Sequence, residues 1–217
     1  MRVVAGAVRV VAGAASVVVG RCDPAPPIPS VPLYGKKMVA CAHFELPDEG
    51  ATERAGRALG GAIAALETTI ERDGLVIGLS GDLGAGKTAW VRAALRALGI
   101  LGPVKSPSFS LLEVYVVSRL NFYHFDFYRL KEPSEFALAG FREHFGPGAV
   151  CAIEWPERAD GYLPEPDVTI ELSVRGAGRQ AAVSHTSSLG ESCLKHLTAE
   201  LPDLLLAPSQ PIPNAGA

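Results

Sequence analysis

The segment GDLGAGKT at positions 81–88 constrains this chain more than any other part of its sequence. It fits the pattern G-x-x-x-x-G-K-[ST], follows the apolar run LVIGL at 75–79 and precedes a stretch with helical periodicity. Small residues let consecutive backbone N–H groups turn inward around phosphate oxygens, and the start of the next helix adds its positive end. In such loops a lysine, here Lys87, reaches the β- and γ-phosphates, and a hydroxyl, here Thr88, ligates Mg²⁺. The segment therefore predicts a nucleotide-binding loop.

Two acidic residues at predicted strand ends are candidates for metal binding and hydrolysis. Asp126 ends the run FYHFD, where a Walker-B acid is expected, and we predict that its carboxylate holds Mg²⁺ directly or through water. Glu154 follows the apolar run VCAI, at the sheet edge that faces the ligand crevice in open α/β folds. The alternative roles are a helix N-cap for Asp126 and a strand-end salt bridge for Glu154. We assign catalytic roles to Lys87, Asp126 and Glu154.

A hydroxyl-rich loop, KSPSFS at 105–110, separates the phosphate loop from the first acid. Its serines predict a switch-like segment that closes over the γ-phosphate, and a simple turn fits the same composition: Ser106, Ser108 and Ser110. The aromatic residues near Asp126 are assigned to the core rather than to a base-stacking platform: Phe122, Tyr123, Phe125, Phe127 and Tyr128. His124 lies among them without a metal-ligand partner at useful spacing, and we assign it a structural role.

Helical and strand patterns alternate through the middle of the chain. Helices are predicted over 49–71, 88–98, 133–145 and 190–201. Strands are predicted over 75–80, 110–117, 120–126, 149–154, 167–174 and 180–185. This order predicts an α/β fold of the P-loop NTPase type, with a mixed sheet flanked by helices and a late antiparallel hairpin.

The two ends of the chain differ from this regular middle. Residues 1–37 contain a repeated RVVAGA and a proline-rich stretch, and we expect them to be disordered or dispensable. Arg9 and several glycines interrupt the apolar leader, so neither a signal peptide nor a membrane helix is expected. Residues 38–204 are predicted to form a P-loop ATPase domain, and 205–217 a flexible tail. Four cysteines without a C-x-x-C pair favour reduced thiols in the cytoplasm, and a net charge of −3 argues against tight nucleic-acid binding by this chain alone.

Four motifs in a fixed order, GDLGAGKT, VKSPSFSL, YHFDFYRL and IEWPERADGYLPEPD, resemble the TsaE family. These are bacterial P-loop ATPases required to make threonylcarbamoyladenosine in tRNA, and the resemblance extends from about residue 45 to residue 191. It implies that the nucleotide phosphates are bound by Leu83, Gly84, Ala85, Gly86, Lys87 and Thr88. It also implies that Thr88 and Glu154 lie at the magnesium, that Asp126 is the other essential acid, and that Trp155 lies beside the site.

The same resemblance implies that Glu49 and the late hairpin at Gly178 and Arg179 lie near the base and sugar of the nucleotide. The implied cofactors are ATP and Mg²⁺, and the implied partners are TsaD-like and TsaB-like proteins. Hydrolysis would reset the TsaD transferase between rounds, and tRNA would be reached only through the complex, with no membrane involved. Serines stand here at 108 and 110 where the family commonly has threonines, and Phe127 replaces a usual leucine; these differences keep the hydroxyls and change only packing.

The alternative function is that of a P-loop small-molecule kinase. Such enzymes use an arginine-bearing lid, whereas only Arg129 and Arg142 lie between the two acids and no compact lid pattern is present. A GTPase is not favoured, because no N-K-x-D or T-K-x-D stretch is present to read guanine. A non-hydrolysing nucleotide sensor would need the loop but would tolerate the loss of Glu154. The sequence leaves open whether Arg158 or Arg179 meets the triphosphate.

Overall fold

The computed structural model describes residues 7–8 and 41–206. These residues form one mixed sheet, whose eight strands are β1 (Ala7–Val8), β2 (Cys41–Leu46), β3 (Leu75–Gly81), β4 (Leu112–Val117), β5 (Leu120–Asp126), β6 (Ala149–Glu154), β7 (Val168–Arg175) and β8 (Gly178–His185). The helices are α1 (Glu49–Ala65), α2 (Glu67–Asp73), α3 (Lys87–Ala97), α4 (Ser134–Leu138) and α5 (Ser188–Glu200), with short 3₁₀ helices at Phe141–His144 and Pro156–Ala159.

The strand order is β1-β4-β5-β6-β3-β7-β8-β2. The four central strands β5, β6, β3 and β7 are parallel, and the outer pairings are antiparallel. The carboxyl ends of the central strands therefore meet at one edge, where ligands bind in open α/β sheets. The predictions of a mixed sheet and of a late antiparallel hairpin, formed by β7 and β8, are confirmed.

Strand β2 is not among the strands predicted from the sequence. Phe44 and Leu46 are fully buried, and the intervening Glu45 is exposed. Such alternation is typical of a half-buried strand, so the signal was present but short. β2 pairs antiparallel with β8 and adds the last strand at that side of the sheet.

Two predicted helices are broken in the structure. The first is interrupted at Leu66, whose backbone departs from helical geometry (φ −103°, ψ 10°), so that α1 and α2 are separate helices. The helix predicted over 133–145 ends at Leu138, because Gly140 adopts a left-handed conformation (φ +72°) that terminates helices. The following turn is the 3₁₀ helix Phe141–His144.

Side chains of β5 point alternately to the two faces of the sheet, and each face packs into its own cluster of buried residues. Phe122, His124 and Asp126 point to one face of the sheet, and Phe122 packs there in the cluster that includes buried residues of α1 and α3. Phe125 and Phe127 point to the opposite face, into the aromatic cluster beside α4. The core assignment of these three phenylalanines is confirmed, since each has at most 1% of its surface exposed. His124 and Asp126 therefore share the face that carries α3.

The predictions for the chain ends fall largely on residues that are not described. Within 1–37, Ala7–Val8 pair with β4 in antiparallel register, and the remaining leader lies outside the described residues. Leu205 forms a bridge with Phe44, and the amide of Leu206 donates to His43 O at 2.8 Å. Residues 207–217 lie outside the described part. None of the helices in the described ranges has the length and apolar character needed to cross a bilayer.

Candidate nucleotide-binding site

The predicted phosphate loop joins the central strand β3 to α3. Gly81 has φ +125°, and a Cβ placed on it would lie 2.1 Å from Leu172 O in the neighbouring strand, so only glycine fits. Gly86 has φ +108° and stands at the N-cap of α3. The two glycines therefore allow the sharp turn between β3 and α3.

The start of α3 is suited to bind an anion. Its N-cap, Gly86, makes no side-chain hydrogen bond, and its first turn contains no acidic residue. The first backbone N–H groups of a helix lack intrahelical partners and carry partial positive charge. A phosphate at this end would satisfy both features. Close packing fixes the helix in place, because a Cβ on Gly60 of α1 would meet Ala94 O of α3 at 2.5 Å.

Lys87 is folded back over the phosphate loop. Its Nζ donates to the backbone oxygens of Gly81 at 2.5 Å and Asp82 at 2.9 Å, and it lies 3.7 Å from the centroid of the Trp155 ring. Burial lowers the pKa of Lys87, and nearby carboxylates, chiefly that of Glu154, oppose this shift. The ammonium group is thus held above the loop by carbonyl groups and an aromatic face, where phosphate oxygens would be stronger partners.

Glu154 joins the loop helix to the sheet. It is 2% exposed at the end of β6, and its Oε2 accepts a hydrogen bond from Thr88 Oγ1 at 3.0 Å. Its Oε1 lies 2.8 Å from Nε2 of His124 on β5. Glu154 is therefore paired at the strand end with a buried histidine, at salt-bridge distance.

The structural role assigned to His124 from the sequence was incomplete, because that reading missed its direct contact with Glu154. His124 and Asp126 are two residues apart on one strand, so their side chains share a face. A lone polar residue at that spacing from a candidate acid, in an otherwise apolar run, is the signal that could have found it.

Asp126 is 3% exposed and lies opposite Glu154 in the parallel register of β5 and β6. Its Oδ1 accepts from the backbone N–H of Tyr128 at 2.9 Å, and its Oδ2 accepts from the hydroxyl of Ser106. The alternative role as an N-cap for the following helix is wrong, since Pro133 holds the N-cap position of α4. The two acids predicted to act together thus lie side by side at the edge of the sheet.

The serine loop contributes one residue to this group. Ser106 donates to Asp126, whereas Ser108 is half-buried and Ser110 is exposed, and neither hydrogen-bonds to the two acids in the described chain. Phe109 between them is 86% exposed, and the guanidinium of Arg129 lies 4.2 Å from its ring centroid. The loop is therefore tied to the site through Ser106.

Trp155 covers the site from the sheet edge. Its backbone is left-handed (φ 60°, ψ 50°), a conformation that is costly for a residue with a side chain, and its N–H donates to Leu79 O at 3.1 Å. The ring packs over Lys87, with Tyr128 at a centroid distance of 5.2 Å. Tyr128 is 38% exposed, so its assignment to the core was wrong.

The late hairpin brings Arg179 to the loop. The position that a Cβ on Gly86 would take lies 3.2 Å from Arg179 Nε, and this buried nitrogen has no hydrogen-bond partner within the described chain. Gly178 packs closely against Leu46, two residues before the Asp48 cap of α1, and the exposed Glu49 is the first residue of that helix.

Of the two arginines left open by the sequence, Arg179 is the one beside the phosphate loop. Arg158 is exposed in the 3₁₀ helix that follows Trp155.

The oxygen atoms at the start of α3 suit a magnesium ion. Thr88 Oγ1 and Glu154 Oε2 are 3.0 Å apart, and neighbouring ligands of an octahedral Mg²⁺ at about 2.1 Å are themselves about 3 Å apart. No three His, Cys, Asp or Glu side chains converge on a metal-binding position within the described residues. Mg²⁺ is commonly held by one or two protein oxygens together with water and substrate phosphates, so these residues fit a magnesium–nucleotide complex.

The fold is that of the P-loop NTPase class, with a glycine-rich loop between a central parallel strand and a helix, and with acids at the ends of the next two strands of the sheet, β6 and β5. A structural comparison agrees. The solved structure described as "Crystal structure of Bacillus subtilus YdiB" superimposes with a TM-score of 0.59 at 24% identity, covering 76% of this chain and 98% of that one.

Sequence comparisons define the family. The family model described as "Threonylcarbamoyl adenosine biosynthesis protein TsaE" matches residues 46–181. The "tRNA threonylcarbamoyladenosine biosynthesis protein TsaE" of Haemophilus influenzae is 35% identical over 149 residues, 69% of this chain and 92% of that protein. The protein of the same name from Treponema pallidum is 44% identical over 108 residues, 50% of this chain and 79% of its own length. This chain belongs to the TsaE family.

Proposed function

We propose that this chain binds ATP with Mg²⁺ and hydrolyses it as a subunit of the machinery that forms threonylcarbamoyladenosine in tRNA. The observation that carries the proposal is the contact between Thr88 and Glu154, which brings together at the glycine-rich loop a hydroxyl and a buried carboxylate, both of them oxygen groups suited to Mg²⁺. Membership of the TsaE family supports a role in forming threonylcarbamoyladenosine, and the arrangement of the site supports ATP binding and hydrolysis.

The loop and the start of α3 would bind the phosphates and the metal. The loop amides and the start of α3 would cradle the phosphates, and Lys87 would exchange the carbonyls of Gly81 and Asp82 for phosphate oxygens. Thr88 and Glu154 would hold Mg²⁺, which when bound neutralises charge on the β- and γ-phosphates.

Asp126 would act beside this group. Its buried carboxylate, held by Ser106, is suited to orient a water molecule near the terminal phosphate.

The hydrolytic activity is proposed to be weak in the isolated chain and to depend on partners. Two large apolar side chains near the site are exposed, Leu83 by 72% and Phe109 by 86%. Exposed apolar groups beside a functional site are typical of surfaces that another protein covers. The proposed partners are TsaD-like and TsaB-like proteins; ATP binding would promote their assembly with this chain, and hydrolysis would reset the transferase between rounds. The tRNA would be reached only through that complex, in agreement with a net charge of −3.

A cytoplasmic location is part of the proposal. Cys41, Cys151 and Cys193 are free thiols, and the last two are buried. Reduced cysteines are typical of a cytosolic protein.

The test measures ATP turnover by the full chain alone and with purified TsaD and TsaB proteins, for the native chain and for Glu154→Ala. We expect turnover to rise with the partners and to fall by at least about 100-fold in the variant, since the lost carboxylate serves the metal site. Glu165→Ala is the matched control, because this exposed carboxylate lies outside the site. Turnover that is indifferent to both the partners and Glu154, or phosphate transferred to a metabolite, would contradict the proposal and favour the kinase.

A further inference from the structure

His124 is placed by strand register next to the acid of the site. It pairs with Ala152 across the parallel strands β5 and β6, and Glu154 follows Ala152 by two residues on the same face. Its Nε2 lies 2.8 Å from Glu154 Oε1, and neither side chain is more than 3% exposed. Because an ionised carboxylate offers only acceptors, we assign the proton in this contact to Nε2.

Burying the imidazole of His124 at this position costs free energy. It lies on a strand between the buried Phe122 and Phe125, where an apolar side chain would pack without leaving any polar atom. Its second nitrogen, Nδ1, is buried and has no hydrogen-bond partner in the described part of the protein. An unsatisfied buried polar atom costs free energy, so core packing alone does not account for a histidine here. The hydrogen bond to Glu154 is what this side chain supplies.

This hydrogen bond determines which way the carboxylate faces. Glu154 accepts from His124 through Oε1 and from Thr88 through Oε2, and no other described side chain hydrogen-bonds to it. With Oε1 held by the imidazole, Oε2 is left to face the hydroxyl at the start of α3. Without the imidazole, Oε1 would be buried without a donor, and the side chain would gain from rotating away.

We propose that His124 is a positioning residue, which orients Glu154 toward Thr88 so that their two oxygens are set to receive a magnesium–nucleotide complex. This inference rests on the proposed function. His124 itself contacts neither nucleotide nor metal in this proposal, and it acts through the orientation of the carboxylate. Groups that orient metal ligands in this way typically change metal affinity by 10- to 100-fold when they are removed.

The test compares His124→Leu, which keeps the bulk and removes the donor, with His124→Gln, whose amide can donate from a similar position. A fluorescent ATP analogue is titrated against each full-length variant, once with Mg²⁺ and once with EDTA. We expect His124→Leu to weaken binding by about 10- to 100-fold with Mg²⁺ and by less than about threefold in EDTA. His124→Gln should restore the Mg²⁺-dependent affinity to within about fivefold of the native value.

Phe122→Leu is the matched control, because this buried residue shares the strand face of His124 and makes no polar contact with the acid. It should leave the ratio between the two titrations unchanged. A His124→Leu variant that binds as tightly as the native chain with Mg²⁺, or that loses affinity equally in EDTA, would overturn the positioning role. A glutamine variant no better than leucine would also overturn it. If the native chain itself shows no Mg²⁺-dependent affinity, the proposed function fails and this inference fails with it.

A measurement on the native protein covers the case in which His124→Leu does not fold. Ring ¹⁵N spectra of histidine-labelled protein report which nitrogen carries the proton. We expect a protonated Nε2 whose signal shifts in Glu154→Gln. A native His124 without a proton on Nε2 would overturn the proposal.

Discussion

Asp126 and Glu154 lie opposite each other at the ends of two parallel strands, yet each carboxylate has its own set of hydrogen-bond partners. Glu154 is held by Thr88 and His124, whereas Asp126 is held by Ser106 and the backbone of Tyr128. Two buried acids with separate supports are suited to separate tasks. We propose that Glu154 serves the metal and that Asp126 orders the water.

Removing the support of Asp126 should impair turnover more than binding. In Ser106→Ala the carboxylate loses its hydroxyl donor but keeps the donor from the backbone of Tyr128. We expect partner-stimulated ATP turnover to fall by about tenfold, with nucleotide affinity changed by less than about threefold, because the group acts on the reaction rather than on the ground state. Ser110→Ala, in the same loop but exposed, is the control. Equal effects of the two substitutions would refute a specific role for Ser106.

Arg179 should contribute to nucleotide affinity. Its buried Nε lies beside Gly86 at the start of α3 without a hydrogen-bond partner among described residues, so a phosphate or sugar oxygen would satisfy it. We expect Arg179→Met to weaken ATP binding by about tenfold in calorimetric titrations, whereas Arg175→Met at the exposed turn of the hairpin leaves it unchanged. An Arg179→Met variant of native affinity would remove this arginine from the site.

Gly81→Ala should destabilise the folded chain. Gly81 has φ +125°, and the added Cβ would lie 2.1 Å from Leu172 O. This oxygen belongs to the backbone of the neighbouring strand β7, so it cannot move away without distorting the sheet. We expect a loss of about 3 kcal/mol in the free energy of unfolding, measured in urea without nucleotide. Gly84→Ala is the control: φ is +82° there but no atom lies within 4 Å of its Cβ, so only about 1 kcal/mol should be lost. Similar losses in the two variants would show that the contact with Leu172 is not what demands glycine.

The buried thiol of Cys193 should make stability fall at alkaline pH. Burial raises its pKa from 9.0 to about 12, so above pH 9 the unfolded chain releases a proton that the folded chain retains. The contribution is therefore fully present below pH 9 and is lost as the pH rises toward 12, by up to about 1.4 kcal/mol per pH unit.

The measurement for Cys193 is urea unfolding, with a reducing agent, of the native chain and Cys193→Ala. At pH 7 the variant should be less stable by about 1 kcal/mol through lost packing. Between pH 9 and pH 10.5 the native chain should lose about 1.5 kcal/mol of stability relative to the variant, so that the variant becomes the more stable of the two proteins near pH 10.5. A gap that stays constant over this range would contradict the assignment.

Much of the fold could be predicted because its signals are local. The β3–loop–α3 unit was recognisable from eight consecutive residues, and β5 and β6 were predicted with the bounds that the structure shows. The errors also have local causes. Gly140 ends the helix predicted over 133–145, and β2 has only two buried positions, Phe44 and Leu46, so its apolar signal is weaker than that of the wholly buried β6.

The sequence by itself determined the glycine-rich loop, most of the order of strands and helices and the presence of two acids at the ends of β5 and β6, because periodicity and glycine positions act within a few residues of chain. Only the tertiary structure decided what those acids touch. The imidazole of His124 meets Glu154 across 30 residues, and Arg179 reaches the loop from a hairpin formed far along the chain. These contacts depend on sheet order and strand register, which come from the packing of the whole domain and are not written in any single segment.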